Sequence, residues 1–287
     1  MIRMAYLFLI VAISSATSHA AEVLMIRGAD DTRVVSGISA SYPYAMTEVA
    51  YADSARDTIN QAMERFAPLL LVAIGPKSYK AVRAIKHLPV ISCMISDTGL
   101  GLPDNHIVVT TAMAPTEQLQ AFARHLSFRS IGTLYSPLSS NVVAQAKPEY
   151  PGLVARKVLR PQDAAPIMKE LFEGGEIDVF WMLPDPNIFY PELTQHMLLW
   201  SFRNRVPILS YNDFYRECGA IASISFDPWE MGRQVGGIIT QVLDGHRVER
   251  RQVARYRVKT NEVVARNMGI PLIIRNVAEI EAETGPK

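Results

Sequence analysis

Short apolar runs rich in β-branched residues alternate with amphipathic stretches along nearly the whole 287-residue chain, and this alternation limits the possible folds more than any single motif. The runs are Val23–Ile26, Leu69–Ile74, Val90–Met94, Ile107–Val109, Ser130–Tyr135, Val154–Leu159, Val179–Leu183, Pro207–Tyr211 and Ala220–Ser225. Most are apolar at successive positions, the pattern of a strand covered by helices on both faces of a parallel sheet. Helix candidates lie between them at Ser54–Arg65, Ser78–Lys86, Pro115–His125, Ser140–Ala146, Pro166–Phe172, Pro191–Asn204 and Pro228–Leu243. Leu119, Phe122, Ala123 and Leu126 recur at helical spacing, and Leu193, Met197, Leu198 and Trp200 do so less regularly. Strands alternating with helices predict an α/β fold with doubly wound sheets.

The pattern occurs twice. One set of strands runs to about Val109 and a second begins near Ser130, with TTAMAPTEQ between them. Thr110 and Thr111 read as extended chain and Pro115 as a helix start, so this bridge is a hinge candidate. Two similar Rossmann-like lobes with parallel sheets are expected rather than one long sheet. No short repeat points to a solenoid.

The first twenty residues, MIRMAYLFLIVAISSATSHA, read as an export leader. Arg3 supplies the positive n-region, Tyr6 to Ile13 the apolar h-region, and Ser18-His19-Ala20 a small-x-small site before Ala21. The apolar core is far shorter than the ~20 residues that span a bilayer. Cleavage after Ala20 and release into a Gram-negative periplasm are therefore expected. No cysteine stands near the cleavage point, so a lipoprotein is not. Losing Arg3 takes the formal charge from +1 to zero, which argues against a nucleic-acid partner. The two cysteines, Cys93 and Cys218, both stand in strand-like contexts far apart in sequence. They are expected to stay reduced in the core, where a free thiol behaves as a small hydrophobe.

No catalytic or metal-binding constellation stands out. GxSxG, HExxH, a GxGxxG after the first strand and a P-loop are all missing, and the histidines lack partners at metal spacing. An enzyme, a resident metal and a cofactor are thus not expected. HRVERRQVARYRVK, from His246 to Lys259, is the one local charge cluster, read as a solvated connection with contact to an anionic lipid surface or partner as its alternative.

In open α/β sheets ligands bind beyond the carboxyl ends of the strands, beside helix N-termini. The residues at those positions are Arg27-Gly28, Gly75-Pro76-Lys77-Ser78 and Ile95-Ser96-Asp97 in the first set. In the second they are Ser136-Pro137-Leu138-Ser139-Ser140, Pro184-Asp185-Pro186-Asn187 and Asn212-Asp213-Phe214. Small polar residues there serve equally as helix caps, and large apolar ones such as Ile188, Phe189, Tyr190 and Phe214 as core. Taken as a set they predict ligand contacts from Ser78, Ser96, Ser136, Ser140, Asp185, Asn187, Tyr211 and Asn212, with Phe189 and Phe214 as apolar walls. Such a lining suits a ligand with an apolar or aromatic body held by a few polar groups.

The C-terminal third carries a resemblance. CGAIASISFDPWEMGRQVGGIITQVLDG and then KTNEVVARNMGIPL resemble the substrate-binding proteins of ABC transporters, through Gly219-Ala220, Gly232-Arg233-Gln234, Gly245, Asn261, Ala265 and Gly269. LLLVAIGPKSYKAV and VPILSYNDFYRECGA resemble further segments of that family, with Leu70 where Asp is usual and Pro76 where Thr or Ser is common. The first helix region, Val34 to Tyr44, is short and Ser/Tyr-rich by comparison. The resemblance implies a type I periplasmic-binding-protein architecture: two lobes, three crossings and a hinged cleft. Lobe one would comprise residues 21–112 plus about 227–255, and lobe two 113–226 plus about 256–287. Pro228–Leu243 would return to lobe one, and the last strand to lobe two. It also implies uptake of a small organic solute and an inner-membrane ABC permease as partner, with the protein itself a monomer. A sterol- or hopanoid-like lipid carrier, or a ligand-sensing subunit, is the alternative on the same fold.

Overall fold

A computed structural model describes residues 22–28, 31–50, 55–96 and 101–273. The leader and Asp97 lie outside them. The chain opens with β1 (Val23–Arg27), α1 (Thr32–Ser41), β2 (Met46–Ala50), α2 (Ala55–Phe66), β3 (Leu70–Ile74), α3 (Gly75–Val82), β4 (Val90–Ile95) and β5 (His106–Thr110). It continues through α4 (Pro115–Ala123), β6 (Ile131–Tyr135), α5 (Ser140–Ala146), β7 (Leu153–Lys157), a 3-10 turn, α6 (Ala164–Glu173), β8 (Val179–Trp181), α7 (Pro191–Asn204) and β9 (Ile208–Ser210). Last come α8 (Asp213–Cys218), β10 (Ala222–Phe226), α9 (Pro228–Leu243), β11 (Arg251–Val253), β12 (Tyr256–Thr260) and α10 (Glu262–Met268).

The strands form two six-stranded sheets, β11-β5-β4-β3-β1-β2 and β12-β10-β9-β8-β6-β7. Counted within its own set, each sheet runs sixth, fifth, fourth, third, first, second. All neighbours are parallel except β12, which runs antiparallel to β10. The chain passes between the sheets three times: from β5 into α4 and β6, from β10 into α9, and from β11 into β12.

Continuous apolar runs become central strands because both faces are covered. In β1, Val23 and Met25 pack with α1 and α9, while Leu24 and Ile26 pack with α2 and α3 on the other face. The second lobe closes over one large core containing Phe122, Phe172, Phe180 and Trp181. Each such side chain contributes about 1.5–3 kcal/mol by leaving water.

Three strands and three helices escape a reading by apolar runs. β2 is a half-exposed edge strand. β11 and β12 occupy the charged run from His246 to Lys259, which forms an edge strand in each sheet rather than a solvated connection. β12 alternates: Tyr256, Val258 and Thr260 turn partly inward, Arg257 and Lys259 outward, as an antiparallel edge permits. Three of that run's cations are paired with acids, Arg250 with Asp104, Arg257 with Glu230 and Lys259 with Asp213. The region from Val34 to Tyr44 holds most of a helix, α1, built on a small-residue face that pattern counting undervalues. α8 and α10 are short and half-exposed, each started by an asparagine cap. Both cysteines are free. Cys93 is a buried strand residue, but Cys218 is exposed at the end of α8, not a core residue in a strand.

His106 opens β5 fully buried, with Nε2 3.4 Å from the Ile85 carbonyl and Nδ1 without a hydrogen-bond partner. Burial pushes its pKa below the usual histidine range. The Ile85 carbonyl opposes that shift, and Arg250 and Arg83 reinforce it. Below about pH 6.5 the unfolded chain binds a proton that the folded chain refuses, so stability is lost as pH falls through that range. Urea unfolding at pH 5 and pH 7.5 should show a loss of up to about 1.4 kcal/mol per unit below 6.5, and His106→Phe should flatten it. Equal slopes in both proteins would remove His106 as the cause.

Candidate functional site

The strand order places a switch point in each sheet beside its first strand, where helices leave on opposite faces and a crevice opens at the carboxyl ends. In the second lobe this edge is formed by the residues after β6, β7, β8 and β9. Asp185, 1% exposed, is its organiser. Its Oδ2 accepts hydrogen bonds from the Ser136 amide (3.1 Å) and the Ser139 hydroxyl (2.5 Å), and its Oδ1 from the Asn187 amide (3.1 Å). One carboxylate thus fastens the turn after β6 to the turn after β8. Ser136 Oγ accepts from the Leu138 amide at 3.1 Å and lies 3.5 Å from Asn187 Nδ2.

Between these turns and residues 158–161, after β7, lies a cavity of about 300 Å³. Ser136, Asn187 and Arg160 supply polar groups to it, and Leu159 and two prolines apolar ones. Arg160 is held by two hydrogen bonds of 2.9 Å to Asp163. Leu159 and Leu138 are 71% and 60% exposed, an unfavourable placement unless something apolar covers them.

At the neighbouring strand ends, Asn212 caps α8 by accepting from the Tyr215 amide at 3.2 Å. Tyr215 carries Tyr211 and Phe214 at edge-to-face centroid distances of 5.4 Å each, with the Tyr211 hydroxyl 3.3 Å from that of Tyr215. Burial, then the contact with Tyr215, raises the Tyr211 pKa beyond its ordinary value. Phe214 is 64% exposed.

The first α8 residue, Asp213, accepts from Ser223 (2.6 Å) and Ser225 (3.1 Å) and pairs with Lys259. Desolvation lifts its pKa, but the hydrogen bonds from Lys259 and Ser223 outweigh that and hold it below the usual carboxylate value. This constellation is invisible in sequence because Lys259 meets Ser223 only through the antiparallel register of β12 on β10.

The first lobe contributes less. Ser96 is exposed just past β4, after a bulge at which Met94 takes φ 58°. Such a bulge re-aims the residues that follow it. Ser78 is buried on the inner side of α3. Ser136, Asp185 and Asn187 therefore come together, with Ser140 exposed next to them and its hydroxyl donating to the Pro137 carbonyl at 3.0 Å. Tyr211, Asn212 and Phe214 form a second group. Phe189 packs in the lobe-two core, 6.2 Å from Phe180. Ser139 and Tyr215, the partners that fix both groups, are not singled out by sequence spacing.

Tyr256 joins the three crossings. It stands on β12, its ring is 5.8 Å from that of Phe226 at the second crossing, and its hydroxyl donates to the Thr111 carbonyl at the first. Burial pushes its pKa up to about 12. Among the described residues no His, Cys, Asp or Glu group has the geometry to hold a metal, and no helix is long and apolar enough to cross a membrane.

Comparison with known proteins places this architecture. Two solved structures of stated ligand state are similar over most of their length at low identity. One is an ABC domain in complex with L-Trp from Streptococcus pneumonia (19% identity, TM-score 0.53, 90% of this chain and 97% of that one). The other is the ligand-free, open form of a substrate-binding protein with adhesive properties from Clostridium difficile (18%, TM-score 0.65, 88% and 96%). A conserved domain protein from Vibrio cholerae is similar at 20% identity, TM-score 0.52, over 88% and 96%. No curated protein matches the chain. The sequence profile of the ABC transporter substrate binding proteins matches residues 10–270. With two six-stranded sheets of identical strand order and three crossings between them, the chain belongs to the ABC transporter substrate-binding protein family, whose members bind ligands and are not enzymes.

Proposed function

We propose that this protein captures a small, partly apolar or aromatic organic solute between its lobes and delivers it to an inner-membrane ABC permease. The observation that carries this reading is the mixed character of the lobe-two edge. Leu138 and Leu159 are exposed beside polar groups from Ser136, Ser140 and Asn187, and Phe214 is exposed at a neighbouring strand end, a mixed lining that suits an amphipathic small molecule. Asn187, Ser140, Tyr211 and Phe214 are the proposed lobe-two contacts, and Ser96 the contact from lobe one. Asp185, Asn212, Ser78 and Phe189 act behind them as supports. The L-Trp complex of a similar structure fits the same ligand class. A cavity of about 300 Å³ with three polar side chains favours a solute over a sterol- or hopanoid-like lipid.

In this proposal, residues 1–20 direct export and are removed after Ala20, and the protein acts in the periplasm as a monomer. Lobe one is residues 21–112 plus about 227–255, and lobe two 113–226 plus about 256–287. Closure is favoured only by contacts that the ligand makes to both lobes at once. Native mass spectrometry of protein from its own periplasm should reveal a bound solute. Calorimetry with that solute should show at least a tenfold loss of affinity in Asn187→Ala and in Phe214→Ala, a cost of about 1.4 kcal/mol. A co-purified lipid of several hundred daltons, or unchanged affinity in both variants, would overturn the proposal.

A further inference from the structure

One face of the first lobe carries a row of cations without counter-charges. From Phe66 to Ser96 the chain holds Lys77, Lys80, Arg83, Lys86 and His87 and no Asp or Glu. Lys77 and Lys80 stand one turn apart on α3, and Arg83 and Lys86 continue the same three-residue spacing beyond it. All five side chains are exposed, and none makes an ion pair among the described residues. The opposite side of α3 buries Ser78, Tyr79 and Val82. A shallow groove of about 420 Å³ runs between Lys80 and Arg83, with Ala81 and Ala84 beside them.

Helix stability does not explain the row. Arg83 and Lys86 complement the negative end of the helix dipole, but Lys77 in the first turn opposes the positive end. Lys77 and Lys80 also repel at this spacing. Three cations in or beside β11 and β12 contrast with them, since Arg250, Arg257 and Lys259 each have an acidic partner.

We propose that this α3 face docks on an anionic phospholipid surface. Protein interfaces centre on a few aromatic or arginine anchors seated in well-packed pockets, whereas the outward groove is shallow and offers only alanines between its charges. Phosphate headgroups need no anchor: a row of Lys and Arg within a Debye length of the surface suffices, and salt screens it. Docking would hold the first lobe at the membrane and leave the ligand edge of the second lobe free.

The test is sedimentation of the purified chain with vesicles of phosphatidylcholine, with and without phosphatidylglycerol, at low and high salt. Binding is expected only to the anionic vesicles, weakening as salt rises. The double variant Lys80→Gln/Arg83→Gln should bind roughly thirty-fold less tightly, from ~1 kcal/mol per cation. Arg247→Gln/Arg255→Gln removes the same charge from the exposed β11–β12 side and should bind as the parent does. Equal losses in the two variants, equal retention on neutral vesicles, or no binding to either kind would overturn the proposal. So would retention on immobilised polyglutamate with none on anionic vesicles, which would favour an acidic protein partner.

Discussion

Gly232→Ala should lower the stability of the first lobe by about 2–4 kcal/mol and the melting temperature by roughly 5–10 °C. The most extensive helix–helix contact among the described residues is that of α1 with α9, and glycines make it possible. A Cβ on Gly232 would lie 2.1 Å from the Val34 carbonyl oxygen, and one on Gly37 2.0 Å from that of Trp229. Both obstacles are backbone, so relief requires the two helices to separate and to open the core around Val34, Ile38, Met231 and Val235. Gly37→Ala should match Gly232→Ala. Gly236 is tight against the Ser41 hydroxyl (2.1 Å), which can rotate, and against the Ile38 carbonyl oxygen (2.8 Å), so its alanine should cost less. Gly237 is the control: nothing lies within 4 Å of its Cβ position, and alanine there should stabilise by about 0.5–1 kcal/mol through helix propensity. If Gly232→Ala and Gly237→Ala melt alike, the close approach of α1 and α9 is not what the glycines serve.

Asp185→Ala is expected to cost about 3–4 kcal/mol, because it strands the Ser136 amide, the Ser139 hydroxyl and the Asn187 amide in a buried place. Asp185→Asn should cost less, since one amide oxygen still accepts while the NH₂ group faces a donor. The distinguishing readout is local. Hydrogen exchange at the Ser136 and Asn187 amides should accelerate in both variants well before global unfolding, and the proposed ligand should bind more weakly because its two supporting turns are no longer joined. A melting temperature and exchange rates matching the parent would make Asp185 an ordinary surface carboxylate and dissolve the lobe-two site as drawn.

Much of the architecture was legible in the sequence. Central strands such as β3 announce themselves because a strand buried on both faces is apolar at successive positions. Ser140–Ala146, Pro191–Asn204 and Pro228–Leu243 have the same ends in sequence and structure. In the last two, proline opens the helix at the position where its missing N–H costs nothing. Edge elements were not legible. β2, β11 and β12 are half-exposed and mix charged with apolar residues, so they lack the continuous apolar run of the central strands.

The candidate site divides along the same line. Ser136, Asp185, Asn187 and Asn212 could be named as candidates from position alone, because alternating strands and helices fix which residues stand at the carboxyl ends of the strands. Which of them meets solvent and which turns inward depends on packing. Asp185 is consumed by its neighbours, Phe189 sinks into the core beside Phe180, and Phe214 stays outside on Tyr215. By itself, then, the sequence determined the α/β class, the two strand sets and which residues stand at the carboxyl end of each central strand, because periodicity and chain direction are local properties. The tertiary structure decided the pairing of Lys259 with Asp213, the seating of α1 on the glycines of α9 and the exposure of a row of cations on and beyond α3 that have no ion-pair partner among the described residues. Those depend on register, distance and neighbouring charge between segments far apart in the chain, none of which a local pattern encodes.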